Sequence, residues 1–206
     1  MREAIHAFKY DRLHHAARGL GRMLALAIEQ LAGEAPAELL VIPVPLHRSK
    51  LTQRGFNQAR SLAEEALKFL GKSHPEWRLM LAASTLMRLR ATESQAGLTP
   101  RQRRLNLRGA FSVSDPSQVK DRHVLLVDDI LTTGATARAA SKAVADAGAA
   151  SVWVATLARA QRVAGFDRGF ADREIDIAQE DAASGTAAVA HLASPGSSSL
   201  QGQPSF

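Results

Sequence analysis

One continuous segment, residues 124–136, does most to constrain the fold of this chain. It reads Val-Leu-Leu-Val-Asp-Asp-Ile-Leu-Thr-Thr-Gly-Ala-Thr: four apolar residues, two acids, and a loop rich in hydroxyl groups. An apolar run without alternation is typical of a strand that is covered on both faces of a parallel sheet. The segment therefore predicts a buried strand that ends in two carboxylates and a small polar loop.

The residues after this loop predict a helix and then a second strand. Ala137, Ala140 and Val144 recur at helical spacing, Gly148 is a stop signal, and the apolar residues 152–155 begin the next strand. A strand–helix–strand unit of this kind is a parallel, right-handed crossover, and ligands bind such sheets outside the carboxyl ends of the strands. The two acids and the loop are thus placed at the expected ligand-binding edge.

The acids and the loop together suit a sugar phosphate. Asp128 and Asp129 can accept hydrogen bonds from sugar hydroxyls, and the loop offers threonine hydroxyls and the N–H groups of a helix start to a phosphate. The alternative is an ordinary strand-to-helix turn with Thr133 or Thr136 as N-cap. That alternative explains one threonine and the flexible Gly134, but it does not explain two adjacent acids that repel each other.

Residues 124–136 closely resemble the phosphoribosyl pyrophosphate (PRPP) motif of type I phosphoribosyltransferases. The resemblance implies that family's α/β fold, a central and mostly parallel sheet flanked by helices. It also implies that Asp128 and Asp129 are the catalytic, ribose-binding residues and that the loop holds the 5-phosphate. The expected phosphate-binding residues are Thr132, Thr133, Gly134, Ala135 and Thr136.

Two further strings narrow the resemblance to the ComF subgroup, whose members include DNA-uptake competence proteins. They are Ile-Pro-Val-Pro-Leu-His at 42–47 and Arg-Gly-Phe-Asn-Gln at 54–58. The similarity extends to about Arg159, so a phosphoribosyltransferase-type domain is expected over residues 1–160. Single-stranded DNA, a competence helicase and a second copy of the chain are the further partners that this resemblance suggests.

Cysteine usage departs from that subgroup. Many ComF-like proteins carry an N-terminal zinc ribbon with four cysteines, whereas this sequence contains none. Either the ribbon was never present, or the start of the protein lies further upstream. No thiolate metal site or disulfide is expected within this sequence.

Positive charge concentrates beside the expected site. The formal net charge is +6, and six arginines lie between Arg88 and Arg108 against the single acid Glu93. Such a balance suits anionic ligands. The segment lies where type I enzymes keep a flexible loop that closes over the reacting centre, so Arg88, Arg90 and Arg101 are expected to meet the pyrophosphate.

Three more residues are candidates for pyrophosphate binding. His47 and Arg48 follow a strand predicted at residues 39–44, and an exposed basic turn explains them nearly as well. Arg54 precedes a helix predicted at residues 57–70. A cation near a helix N-terminus is mildly unfavourable, which favours a ligand for Arg54 over a purely structural role.

The remaining segments set the limits of the domain. An amphipathic helix is predicted at residues 11–31, with Gly33 after it, and a weak strand at 174–178. Residues 161–206 are a low-complexity C-terminal extension, predicted to be disordered from Asp181 onward. No apolar run is long enough for a membrane helix, so no membrane insertion and a cytoplasmic location are expected.

The leading hypothesis is transfer of a phosphoribosyl group from PRPP, with release of pyrophosphate, to an unknown acceptor. The resemblance implies Mg²⁺ held mostly by PRPP itself, and no permanent metal site is expected. The alternative is a non-catalytic adaptor that keeps the PRPP pocket and supports uptake of single-stranded DNA. A third reading, a structural relic, predicts that replacing both acids has no effect.

Overall fold

The computed structural model of the chain describes residues 14–90, 109–131, 134–159, 175–176 and 188–192. The expected mobile loop, including Arg101, lies outside these residues, and so do Thr132 and Thr133 of the expected phosphate loop. The helices within the described residues are α1 His14–Glu29, α2 Arg48–Arg54, α3 Gln58–Ser73 and α4 Ala135–Asp146. The strands are β1 Glu38–Pro43, β2 Arg78–Leu81, β3 Leu86–Arg88, β4 Phe111–Val113, β5 His123–Leu131, β6 Ser151–Arg159, β7 Ile175–Asp176 and β8 Ala188–Leu192.

The central sheet is mostly parallel, as the sequence predicts. Its order is β2-β1-β5-β6-β8-β7, and the pairs β1–β2, β1–β5 and β5–β6 are all parallel. β5 lies inside the sheet, and its residues 124–127 are fully buried. This burial on both faces explains why that stretch of the sequence is apolar without alternation. β3 and β4 form a separate antiparallel hairpin.

Helices cover both faces of this sheet and bury two apolar clusters. α1 and α3 pack together on one face, where Leu24 and Leu62 meet Val41 and Leu125. α4 and the β3–β4 hairpin cover the other face, where Val144 and Phe111 join one cluster with strand residues. A helical layer on each face is the arrangement that the strand–helix–strand pattern predicts.

The contact between α1 and α3 depends on Gly21. A Cβ placed on Gly21 would meet the Cβ of Glu65 and would lie 3.2 Å from the backbone nitrogen of Ala66. Gly19, two residues earlier on α1, has no atom within 4 Å of such a Cβ. The missing side chain at Gly21 thus lets the two helices approach each other closely.

The predicted elements recur in the structure with shifted ends. α1 lies within the amphipathic helix predicted at residues 11–31, and Leu20, Leu24 and Ala27 of α1 are buried, as is Leu31 just after it. Gly148 has a φ of +96° directly after the end of α4, which confirms it as the stop of that helix. An additional helix, α2, occupies the segment after β1 where the sequence predicted only a loop or turn.

Two further differences concern the sheet. The sequence predicts a strand that ends in the two acids, but β5 continues through them to Leu131, because β6 keeps pairing with it as far as Arg159. The prediction of disorder from Asp181 onward is wrong for residues 188–192, which form β8 and pair antiparallel with β6. The short β7 lies within the predicted weak strand at 174–178. Of the helices the structure describes, none has the length and apolar character needed to cross a bilayer.

Candidate functional site

The two acids lie at the carboxyl end of β5, where its neighbour β1 turns away. The register between β1 and β5 ends at Pro43 and Val127, and the N–H of Val44 still donates to the carbonyl oxygen of Val127 over 2.8 Å. Asp128 and Asp129 follow immediately, and both are half-buried. The acid pair therefore lies at the carboxyl edge of the sheet, as the sequence predicts, and binding of a ligand at this edge stays a prediction.

The two acids are linked to each other through the backbone. The N–H of Asp129 donates to Oδ1 of Asp128 over 2.9 Å. Asp128 also stands opposite Thr156 of β6, whose side chain is buried. One oxygen of Asp128 is thus held by the backbone N–H of Asp129, and this fixes the direction of the carboxylate.

The start of α4 follows three residues after β5. Its N-cap is Gly134, with φ of +70° and ψ of 5°, and no side chain caps the helix. Neither Thr133 nor Thr136 is the N-cap, because Thr136 lies inside the first turn and Thr133 precedes Gly134. The first N–H groups of α4 are therefore left for a ligand or solvent at the same edge as the acids.

Arg88 approaches the acid pair from the β3–β4 hairpin. It stands opposite Phe111 in the hairpin, and its Cζ lies 5.4 Å from the centre of the Phe111 ring. Burial lowers the pKa of the Arg88 guanidinium, and the negative charge of Asp128 acts in the opposite direction by favouring the cation. The structure thus brings a half-buried cation within electrostatic range of Asp128.

The neighbouring Arg90 differs in its surroundings. It is exposed at the end of the described part of the hairpin, beyond β3. From the sequence, Arg88, Arg90 and Arg101 were all expected to lie on one flexible loop and to meet the pyrophosphate. The structure separates Arg88, which belongs to a packed hairpin strand, from Arg90, which does not.

The string at 54–58 joins two helices beside the end of β1. Gly55 ends α2 with φ of +79°, and Phe56 packs against the apolar cluster under α1 and α3. Asn57 is the N-cap of α3, since its Oδ1 accepts from the N–H of Ala59 over 3.1 Å. The segment 54–58 therefore connects two helices, and Gly55, Phe56 and Asn57 each have a distinct structural role in it.

Asn57 also ties this connection to the edge that carries the acids. Its Nδ2 donates to the carbonyl oxygen of Val44 over 3.1 Å, and Val44 is hydrogen-bonded to Val127. A continuous chain of hydrogen bonds thus runs from the start of α3 to the residue before Asp128. Through these hydrogen bonds, the segment 54–58 helps to position the end of β5 that carries the two acids.

Arg54 lies between two helices: it ends α2 and precedes α3. It is the last residue of α2, and its Nη1 donates to Oε1 of the buried Gln58 over 3.4 Å. A cation is favourable at a helix C-terminus because the helix dipole is negative there. Arg54 also lies just before α3, as the sequence predicts, so the C-terminus of α2 offsets its unfavourable position there, and its binding role stays a prediction.

His47 and Arg48 form the start of α2. His47 is the N-cap, and its Nδ1 accepts from the N–H of Ser49 over 3.3 Å. Arg48 is exposed in the first turn. Both residues follow the carboxyl end of β1 within five residues, so they lie on the side of the sheet edge next to the acids. Their predicted contact with pyrophosphate remains a prediction.

One charged residue at the start of α4, Arg138, was not singled out in the sequence analysis. The guanidinium of Arg138 lies over Gly134, because a Cβ on Gly134 would be 3.3 Å from its Nη1. The sequence signal that could have indicated this position is the spacing of four residues between Gly134 and Arg138. Side chains on a helix tilt toward its N-terminus and cover the preceding turn.

Comparison with known proteins agrees with this geometry. The phosphoribosyl transferase domain family matches residues 57–191. The chain is 34% identical over 157 residues to DNA utilization protein YhgH of Escherichia coli O157:H7 and 33% identical over 159 residues to Competence protein F of Haemophilus influenzae. These matches cover 75% and 76% of this chain but 65% and 66% of those relatives, so the chain spans about two thirds of their length.

The resemblance found in the sequence is thereby confirmed at the level of the family. Among solved structures, hypoxanthine-guanine phosphoribosyltransferase from Schistosoma mansoni in complex with IMP aligns with a TM-score of 0.38 and 18% identity. That alignment covers 71% of this chain and 57% of the other. A likeness at this level carries no detail from one protein to the other.

Proposed function

Because this chain belongs to the phosphoribosyl transferase domain family, we propose that it binds PRPP and transfers the phosphoribosyl group to an acceptor of unknown identity, with release of pyrophosphate. The observation that carries the proposal is the half-buried pair Asp128–Asp129 at the carboxyl edge of the sheet, followed by the uncapped start of α4. Carboxylates beside a helix N-terminus match a ligand that has hydroxyls next to a phosphate.

Each part of the ligand has a region of the site that suits it. Asp128 and Asp129 hold the ribose hydroxyls, and the segment from Thr132 to Thr136 holds the 5-phosphate at the positive end of α4. Arg88 lies on the side of Asp128 from which the hairpin approaches, and it meets the pyrophosphate there. His47, Arg48, Arg90 and Arg101 add positive charge around the same group.

The chemistry that these residues support is displacement at the anomeric carbon. A nucleophile forms a bond to that carbon while the bond to the pyrophosphate oxygen breaks, and the electron pair leaves with pyrophosphate. The protein contributes positioning and charge stabilisation and forms no covalent intermediate. Arg88 stabilises the charge that develops on the leaving group, because a guanidinium binds phosphate oxygens with two N–H groups.

Mg²⁺ fits this site as a companion of the ligand. Within the described part of the chain, no group of three His, Asp, Glu or Cys side chains could hold a metal ion. Mg²⁺ is commonly bound by one or two carboxylates together with substrate phosphates and waters, and Asp128 and Asp129 offer carboxylates of that kind. Bound Mg²⁺ would neutralise charge on the pyrophosphate.

Titration of Mg²⁺–PRPP into the purified protein by calorimetry tests this proposal. The wild type is expected to bind, and the double variant Asp128→Asn/Asp129→Asn is expected to lose at least tenfold in affinity, since each lost hydrogen bond to a charged group contributes about 1.5–3 kcal/mol. Asp146→Asn is the matched control, because Asp146 is exposed at the far end of α4 and pairs with Lys142. Folded wild type that does not bind PRPP would overturn the proposal.

A second candidate function is an adaptor in the use of DNA. The relatives named DNA utilization protein and Competence protein F favour it, and so do the arginines between Arg88 and Arg108. Binding through phosphates weakens steeply as salt rises. Measurement of the affinity for single-stranded DNA between 50 and 200 mM salt, roughly the range over which that principle applies, tests it. No affinity at low salt would exclude direct contact with DNA.

A further inference from the structure

The ladder of hydrogen bonds between β1 and β5 ends one step before the acid pair. The register ends at Pro43 and Val127, and the N–H of Val44 donates to the carbonyl oxygen of Val127 over 2.8 Å. In a parallel ladder, a residue that donates to the neighbouring strand accepts from the residue two positions further along that strand. The next bond of this ladder would therefore run from the N–H of Asp129 to the carbonyl oxygen of Val44.

Two side chains hold the two groups that this next bond would join. The carbonyl oxygen of Val44 accepts from Nδ2 of Asn57 over 3.1 Å. The N–H of Asp129 donates to Oδ1 of Asp128 over 2.9 Å. The amide of Asn57 and the carboxylate of Asp128 thus take the places of the two backbone partners, one on each strand.

The proline that follows Val44 does not by itself end this ladder. Pro45 lacks an N–H group, but the next bond needs only the carbonyl oxygen of Val44 as its acceptor. A residue before a proline also favours extended backbone, which suits a strand. Val44 is buried, so its carbonyl oxygen needs a partner, and Asn57 supplies that partner from the start of α3.

The amide of Asn57 is held at both of its ends. Its Oδ1 accepts from the N–H of Ala59 over 3.1 Å, and its Nδ2 donates to Val44. The helix N–H can only donate and the Val44 carbonyl can only accept, so these partners decide which end of the amide is nitrogen. The helix that carries Asn57 is itself packed, since Leu62 and Ala66 of α3 are fully buried in the cluster under α1 and α3.

We propose that Asn57 is a positioning residue for the acid pair: it occupies the carbonyl oxygen of Val44, ends the β1–β5 ladder there, and leaves the N–H of Asp129 to hold the Asp128 carboxylate. The inference rests on the proposed function, since it gives Asn57 a part in PRPP binding at the same site. Without the amide nitrogen of Asn57, the N–H of Asp129 turns to Val44. The Asp128 carboxylate then loses the bond that fixes its direction, and the pair is no longer arranged for the ribose hydroxyls.

NMR couplings across hydrogen bonds test this arrangement without any ligand. In the wild type, the amide nitrogen of Asp129 is expected to couple to the side-chain carboxyl carbon of Asp128. In Asn57→Ser, which keeps an oxygen for the N-cap but has no amide to reach Val44, the same nitrogen is expected to couple to the backbone carbonyl carbon of Val44. Asn57→Asp also keeps the N-cap and cannot donate, so it is the second variant, and the same switch is expected.

Calorimetry with Mg²⁺–PRPP measures the consequence for binding. Asn57→Ser and Asn57→Asp are each expected to bind about tenfold more weakly than the wild type, because a small misplacement of groups that hold a ligand is costly. Asp115→Ala is the matched control. Asp115 caps the short 3₁₀ helix Pro116–Gln118, which precedes the other end of β5. Its replacement also removes a side-chain hydrogen bond, and it is expected to keep the wild-type affinity and couplings.

Each other outcome counts against the inference in a distinct way. Unchanged coupling of Asp129 in both Asn57 variants would overturn it while the proposed function stands. A switched coupling with unchanged PRPP affinity would also overturn it, because the direction of the Asp128 carboxylate would then not matter for binding. An equal loss of affinity in Asp115→Ala would show a general effect of lower stability, and this too overturns it. Wild type that does not bind PRPP would overturn the proposed function and with it the role of Asn57 in binding, whereas the couplings would still report how the acids are held.

Discussion

The N–H of Asp129 donates to Oδ1 of Asp128 over 2.9 Å, so the first acid of the pair is held by the backbone of the second. A hydrogen bond between neighbouring residues of this kind turns the Asp128 carboxylate along the strand and leaves its other oxygen for further contacts. The pair is therefore arranged before any ligand arrives. Two adjacent carboxylates without this link would be free to rotate apart, because like charges repel.

This relationship predicts different results for two substitutions of Asp128. Asp128→Asn keeps an oxygen that accepts from the Asp129 N–H, so the free energy of unfolding is expected to change by less than about 0.5 kcal/mol while PRPP affinity falls at least about tenfold. Asp128→Ala removes the acceptor as well, and a loss of about 1 kcal/mol in stability is expected in addition. Urea unfolding and calorimetry measure the two effects. Equal stability of both variants would contradict the structural role of the bond.

The hairpin arginines are expected to differ in their effect on ligand binding. Arg88 is half-buried near Asp128 and lies over Phe111, whereas Arg90 is exposed. Arg88→Met keeps an apolar stem against Phe111 but removes the charge, and it is expected to weaken binding of Mg²⁺–PRPP about tenfold or more. Arg90→Met is the matched control, with an expected change of less than about threefold since exposed charges contribute little. Equal effects of the two variants in calorimetry would show that only the total charge of the hairpin matters.

Asn57 is expected to contribute to stability through both ends of its amide. Asn57→Ala removes the N-cap of α3 and the bond to Val44, so a loss of about 2 kcal/mol is expected. Asn57→Asp keeps an acceptor for the Ala59 N–H but cannot donate to Val44, so its loss is expected to be about 1 kcal/mol. Urea unfolding of the three proteins ranks them. If Asn57→Asp were as stable as the wild type, the link to β1 would contribute nothing.

Two glycines of α1 are expected to respond to alanine in opposite directions. A Cβ at Gly21 would collide with Glu65 of α3, so Gly21→Ala is expected to cost about 1–3 kcal/mol by overpacking. Gly19 has open space around it and lies in the same helix, so Gly19→Ala is expected to stabilise the protein by about 0.5–1 kcal/mol. Thermal unfolding followed by circular dichroism compares them. Destabilisation by both variants would mean that the backbone of α1, and not its contact with α3, is responsible.

Local sequence patterns were sufficient to predict the main helices and strands that form the site. The apolar run at 124–127 predicted a buried strand, and it forms the inner part of β5 because only such residues tolerate cover on both faces. Gly148 and Asn57 marked a helix end and a helix start, since glycine adopts positive φ and asparagine caps through its own side chain. These signals depend on the backbone near each residue, which the sequence displays directly.

Other features could not be inferred in this way. Arg54 precedes α3 as expected, but it also ends α2, which was not predicted because α2 is a short helix with no buried residue and leaves no apolar pattern. The end of β5 was expected at the two acids and lies beyond them at Leu131, because it depends on how far β6 continues to pair. β8 has its partner, β6, some thirty residues earlier in the chain, and no local signal names that partner.

The sequence by itself determined that this chain forms a parallel strand–helix–strand unit with two acids and a glycine-containing turn at its ligand-binding edge. It did so because burial on both faces, helical spacing and the special freedom of glycine are properties of short segments. Only the tertiary structure decided that Arg88 of a distant hairpin lies within range of Asp128, and that Asn57 is tied to Val44 beside β5. It also showed that the Arg138 guanidinium occupies the space where a Cβ on Gly134 would lie. The positions of Arg88 and Asn57 depend on contacts between segments that are distant in the sequence. The position of Arg138 depends on the direction of its side chain. The local pattern of residues does not show such contacts or directions.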